Sequence, residues 1–343
     1  MFKKIFLGLF GLLLILGLYY RELVSYGYMQ AKGQLQILFN TEPVTEVLKD
    51  PSFPDSLKQR LRLIGEIKQF AIDSLGLDSS DSYTEFYNQH GKPILWVLTA
   101  SEKYRLVPRQ WDFPVIGTFA YKGFFDSTRA QQEQQLLIAE RFDTQLNEVS
   151  AWSTLGFFKD PILSSMLYRG AGSLANLIIH EMTHGTLFVK NNLELNENLA
   201  TFVGDYGAIR FLTAKYGANY PELEKYEFRK RYNDAISQHI VRGAKQLDSL
   251  YNTFRPSLTS AQKDTLKTRQ IRYIVQQSDT LLGGLIGKKY PWRGTKLPNN
   301  AFFIGYLTYH SQQNQFHEEF QRKFKGNFTK YLAYLKTTYP TSF

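Results

Sequence analysis

Residues 174–188 read Leu-Ala-Asn-Leu-Ile-Ile-His-Glu-Met-Thr-His-Gly-Thr-Leu-Phe, and this stretch constrains the fold more than any other. Apolar residues on both sides predict a largely buried helix, yet its middle carries His180, Glu181 and His184. Such groups cost stability in an interior unless each is satisfied. Positions four apart share a helix face, so the two imidazoles can grip one ion, while Glu181 lies about 100° round the axis, beside that ion. A metal satisfies all three at once. Histidines merely hydrogen-bonded in a core would not require a glutamate between them. The fold must therefore bring a further ligand to this helix.

The 343-residue chain has no cysteine. That excludes disulfides, thiolate ligands and a Cys nucleophile, and leaves His and carboxylates to hold any ion. Glu197 follows His184 after thirteen residues, enough for a turn at Lys190-Asn191-Asn192 and a second helix. Glu194 is the rival, and Glu197 is preferred because the regular helical pattern has begun there. Without the upstream pair it would read as a first-turn carboxylate complementing a helix dipole. Three protein ligands with one open position are the catalytic form of a Zn2+ site, and Glu181 stands where a general base would be needed. Asp205, eight residues after Glu197 on nearly the same face, is placed to orient a ligand histidine. His239, His310 and His317 stand alone on charged amphipathic segments and read as surface or core residues.

The N-terminus starts with Lys3 and Lys4, followed by a mostly apolar run from Ile5 to Tyr20. This resembles a secretory signal, but Tyr19, Tyr20 and Arg21 stand where a small-residue cleavage site belongs. The expectation is an uncleaved signal anchor over residues 1–24, with a cleaved signal peptide as the alternative. The lysine pair favours an inside N-terminus, so residues 25–343 are expected outside the membrane, periplasmic or extracellular. The formal charge of +10 is scattered rather than blocked, and no nucleic-acid motif accompanies it. A solvated basic surface near a membrane accounts for it, and no nucleic-acid partner is expected.

Hydrophobic spacing predicts helices over 22–42, 55–77, 128–146, 196–216, after Pro221, over 259–278 and over 299–324, with a short terminal helix. Strands are predicted at 94–98, 114–125 (strand or hairpin) and 148–152, and a loop at 283–298. The fold class is α+β, predominantly helical, with a small sheet, and no domain linker is evident after the N-terminal segment.

Several segments occur together in one order: Ser153-Thr-Leu-Gly-Phe-Phe-Lys-Asp-Pro161, the His180–His184 string, Asn196-Glu197 with Ala200-Thr-Phe-Val203, and Asn299-Asn-Ala301 with Thr308-Tyr309. With Gly33-Gln-Leu-Gln-Ile-Leu38 and the helix after Asp55, they resemble the bacterial predicted aminopeptidase family, zincin-like proteins of the gluzincin type. The resemblance implies a zinc-dependent peptidase acting on peptide or protein substrates. His180, His184 and Glu197 would be its metal ligands and Glu181 its catalytic base. It also implies that the last long helix faces the site, with Tyr309 as a catalytic oxyanion donor, and that Ser153–Gly156 pairs with extended substrate. Two departures stand out. Many relatives carry a lipoprotein N-terminus, which this chain cannot have, and Thr201 stands where some gluzincins place an acidic residue. The reading is a membrane-anchored zinc aminopeptidase. The alternatives are a zinc endopeptidase of the cell envelope and a non-catalytic envelope protein on a zincin scaffold.

Overall fold

A computed structural model describes residues 6, 18–113, 117–149, 159–286 and 296–340. The described chain is predominantly helical, with three small sheets. Most of the predicted signal anchor lies outside the described residues, as do Ser153–Gly156. Among the described residues no helix is long and apolar enough to cross a membrane.

The first elements are α1 (Arg21–Phe39), β1 (Thr41–Pro43), α2 (Val44–Lys49) and α3 (Asp55–Asp73), followed by β2 (Glu85–Tyr87) and β3 (Trp96–Ser101). Next come β4 (Trp111–Phe113), β5 (Gly117–Phe119), β6 (Lys122–Phe124), α4 (Ser127–Ala139), β7 (Asp143–Glu148) and β8 (Ile162–Leu163). The rest is helical: α5 (Ala171–Thr186), α6 (Leu193–Tyr216), α7 (Pro221–Asn252), α8 (Ser260–Ile286), α9 (Asn300–His310), α10 (Gln313–Phe324) and α11 (Phe328–Thr338).

The main core lies between α3, α5 and α6, closed by α10 and α11. Leu61, Ile64 and Ile67 of α3 meet Leu174, Ile178 and Ile179 of α5, and Phe202 of α6 packs against Phe316, Phe320 and Tyr331. A second cluster joins α7 and α8 to Phe303 of α9, and a third lies under β3. In that third region β3 is central, with β6 and β7 antiparallel on either side. Strand alternation sends Leu98 and Ala100 into the core, while Val97 and Thr99 face the other way, opposite Asn147 and Gln145 of β7. That other face becomes one wall of the functional cleft.

Several boundaries differ from the sequence expectation. The helix predicted over 128–146 stops at Ala139, because Arg141 turns the chain with φ of 69° and Asp143–Glu148 pairs with β3. Those strand residues are poor strand formers by composition, so pairing decided their state. The predicted hairpin across 114–125 is divided: β5 pairs with β4, and β6 pairs with β3, while residues 114–116 lie outside the described set. The helix expected over 299–324 breaks at Ser311 into α9 and α10. Finally, α8 continues to Ile286, into the expected loop, of which residues 287–295 lie outside the described set.

Candidate metal centre

Side chains of α5 line a cleft of about 790 Å³ at positions 173, 176, 177, 180, 181 and 184. This is one face of the helix, repeating at three and four residues. α6 crosses behind it, the β3–β7 face stands opposite, and α9 closes a side through Ile304, Thr308 and Tyr309.

His180, His184 and Glu197 meet on the cleft floor, where one nitrogen or oxygen from each lies within 4.8 Å of the others. Nε2 of His180 is 3.3 Å from Glu197 Oε2, and Nε2 of His184 is 3.7 Å from the same oxygen. The imidazole planes stand at 85°, so the two nitrogens converge from different directions. Among the described residues this is the group of His, Cys, Asp and Glu close enough to hold an ion. The donor set fits a zinc ion: two imidazoles and a carboxylate, all shielded, with a cleft on the open side. His184 Nδ1 is buried and finds no hydrogen-bond partner among the described residues.

Helix packing creates this convergence. α5 and α6 approach closely at Gly204, where an added Cβ would lie 3.0 Å from the Asn176 carbonyl oxygen and 3.2 Å from His180 Cβ. The turn between them is fixed from α6. Asn196 accepts from Val189 N–H at 2.8 Å and donates to Val189 C=O at 2.9 Å. On the other side of Glu197, Asn198 donates to Thr308 C=O at 2.8 Å and accepts from Gln312 N–H at 3.0 Å. The Glu197 carboxylate thus sits between two buried asparagines, one tied to the preceding turn and the other to α9 and α10. Glu194, the rival ligand, points away and accepts from Ser311 and Gln312.

The electrostatics separate four neighbouring groups. Burial pushes the Glu181 carboxyl up to about 7, with Glu197 and Asp160 adding to the effect and His180 opposing it. Burial pushes His184 down to about 4. Burial also disfavours charge on His180, but the Glu197 hydrogen bond and the Glu181, Glu197 and Asp205 carboxylates outweigh it and raise its pKa. Against its own burial, Glu197 is held low by the His180 hydrogen bond and the two imidazoles.

Asp205 does not orient a ligand histidine. Its Oδ1 accepts from Asn176 Nδ2 and the Tyr226 hydroxyl, and its Oδ2 pairs with Lys230 at 2.9 Å. His239 bonds the Ile274 carbonyl, whereas His310 lines the far side of the cleft. Asn299 caps α9 and Asn300 ties that helix to the β3–β4 connection and to Tyr251, so both are structural. Tyr309 is an exposed residue lining the cleft, and desolvation of its hydroxyl there, together with Glu197, Tyr121 and Glu181, holds that hydroxyl above the usual phenol range.

Two neighbours of the centre were not anticipated. Tyr121, between β5 and β6, has its hydroxyl pushed up to about 12 by burial and by Glu197 and Glu181. Asp160, buried within the Lys159-Asp160-Pro161 part of the resemblance, lies beside Glu181 and accepts from Tyr83 N–H through its carbonyl at 2.7 Å. Nothing local marks Tyr121 among 22 tyrosines. Asp160 carried a signal in its motif, but not a role.

The structure thus presents a mainly helical α+β protein with a His–His–Glu cluster exposed to a cleft. The family model described as "Putative aminopeptidase" matches residues 25–339, and the chain belongs to that family. Membership of the family suggests a peptidase. No curated protein and no solved structure matches the chain.

Proposed function

We propose that this protein is a zinc-dependent aminopeptidase on a zincin-like, gluzincin-type scaffold, with zinc held by His180, His184 and Glu197. The observation that carries the reading is the convergence of three shielded donors on the floor of a cleft, with the Glu181 carboxyl beside them. Family membership supplies the peptide substrate and the aminopeptidase assignment. The apolar N-terminal run supports a membrane tether, with the cleft on the periplasmic or extracellular side.

Zinc, when bound, supplies Lewis acidity that lowers the pKa of a water and polarises a carbonyl. Glu181, held near neutrality at about 7, accepts a proton from the attacking water and returns it to the departing amine. Tyr121 and Tyr309 offer hydroxyl donors to the carbonyl oxygen as negative charge develops on it, since both lie in the field of Glu197 and Glu181. The β3–β7 wall, with Val97 and Asn147 opposite each other, confines the peptide against α5.

The test is zinc content and hydrolysis of a peptide library by the unmodified chain and by Glu181→Gln. The expected result is zinc in both and stepwise loss of N-terminal residues with the first alone. Zinc in both with cleavage by neither would overturn the enzymatic reading. Internal cleavage without N-terminal trimming would replace aminopeptidase with endopeptidase.

A further inference from the structure

The cleft contains more charge than the metal centre uses. Asp205 and Asp234 share Lys230, at 2.9 and 2.7 Å. Arg169 and Arg229 line the same cleft, and no carboxylate lies within ion-pair distance of either among the described residues. Arg229 is an exposed residue, and its Nη1 donates to Ser173 Oγ at 3.3 Å, a neutral partner. Arg169 is partly buried, its charge is disfavoured by that burial, and no neighbouring acid offsets the cost. A guanidinium lining a cleft with no ionic partner among the described residues is suited to a planar, bidentate anion supplied from outside.

The position of the pair bears on which anion this is. Arg169 stands just before α5, and Ser173, which Arg229 reaches, lies one turn into it. The metal-ligating stretch starts seven residues after Ser173 on the same cleft-facing side, about 10 Å along the helix at ~1.5 Å per residue. An extended peptide covers that distance in roughly three residues at ~3.3 Å each.

We infer that Arg169 and Arg229 form a carboxylate subsite that selects peptides carrying a negative charge about three residues from the bond cleaved. This rests on the peptidase reading above. For N-terminal cleavage, the charge is either the free C-terminus of a short peptide or an acidic side chain near the fourth residue. Ser173, on the cleft-lining side of α5, adds a hydroxyl beside Arg229.

The test is a binding measurement, so it does not depend on turnover. Titration calorimetry uses the full-length chain with Glu181→Gln, with zinc content measured on the same sample. One peptide pair is a tetrapeptide as free acid and as amide. The other is an amidated heptapeptide with Glu or Gln at its fourth residue. The charged member of at least one pair is expected to bind about ten- to a hundredfold more tightly, the scale of losing a hydrogen bond to a charged group. Preference in the first pair identifies the C-terminus, and preference in the second identifies the side chain. Arg169→Gln or Arg229→Gln should abolish the difference. Arg231→Gln, the same charge change at an exposed position outside the cleft lining, should keep it. Equal binding of charged and neutral members in both pairs, or no binding at millimolar peptide, overturns the subsite. So does a preference that survives both cleft variants. Zinc-free protein that still shows the arginine-dependent preference would overturn the metal reading alone.

Discussion

Gly204→Ala tests whether close helix packing creates the proposed metal centre. The new methyl would meet the Asn176 carbonyl oxygen at 3.0 Å, His180 Cβ at 3.2 Å and Asn176 Nδ2 at 3.3 Å, so neighbours must give by a few tenths of an ångström. Two of those three atoms are backbone or next to it and cannot swing aside, so α6 must back away from α5. Overpacking of this kind costs about 1–3 kcal/mol. Replacing a mid-helix glycine by alanine gains back about 1 kcal/mol in helix propensity. The net loss of stability is then only about 0–2 kcal/mol. The ion is more demanding, because ligand distances tolerate roughly ±0.2 Å. Glu197 lies two turns before Gly204 on the same helix, so the retreat moves it relative to His180 by more than that tolerance. Zinc affinity should fall by about 10- to 100-fold, the scale for disturbing the supports of a metal site. Denaturant unfolding in chelator measures the first quantity, and competition with a chromophoric chelator measures the second. A variant about 1 kcal/mol more stable with unchanged zinc affinity would show that the α5–α6 contact has slack, and the reasoning would fail.

Tyr121→Phe and Tyr309→Phe should each lower kcat by about 10²- to 10³-fold if its hydroxyl meets the carbonyl oxygen, with zinc content unchanged; steady-state kinetics on the two variants decide which tyrosine carries the role. Asn196→Ala leaves the Val189 N–H without its partner, while the Val189 C=O keeps the Asn192 N–H, so stability should drop by about 1–3 kcal/mol in chemical denaturation, accompanied by weaker zinc binding. Glu319 accepts from Lys323 and from the Tyr331 and Tyr334 hydroxyls; burial opposes its ionisation, but these partners hold its carboxyl below the usual range. Its stabilising contribution is therefore present at neutral pH and disappears as pH falls through the lowered pKa. Glu319→Gln should lower the melting temperature at pH 7, and the difference from the unmodified chain should close in acid.

The parts of the molecule that sequence made legible are those where one segment contains its own argument. Leu174 to Phe188 carries both the apolar periodicity that buries a helix and the polar residues that need an explanation. Helix α5 and the face its histidines share follow from that segment alone. Glu197 was accessible because the turn before it is short, which restricts the second helix to lying against the first. Asp143–Glu148 was not accessible, because nothing in Asp-Thr-Gln-Leu-Asn-Glu favours a strand until β3 is beside it. The same limit hid Tyr121. Its place near Glu197 depends on β6 pairing with β3 and on β3 standing opposite α5, two contacts between segments far apart in the chain. Asp205 shows the converse error. Its spacing from Glu197 put it on the correct face, but at eight residues it is about 12 Å along the helix at ~1.5 Å per residue, beyond the histidines and within reach of Lys230 and Tyr226. Helical spacing assigns a side chain to a face, and the distance along the axis decides which partner it meets there. For the same reason Arg169 and Arg229, which have no ionic partner among the described residues, could not be read from sequence as a pair. An absent counter-charge depends on every segment that folds near Arg169, and α5, α7 and the β3–β7 wall come together only in the assembled cleft.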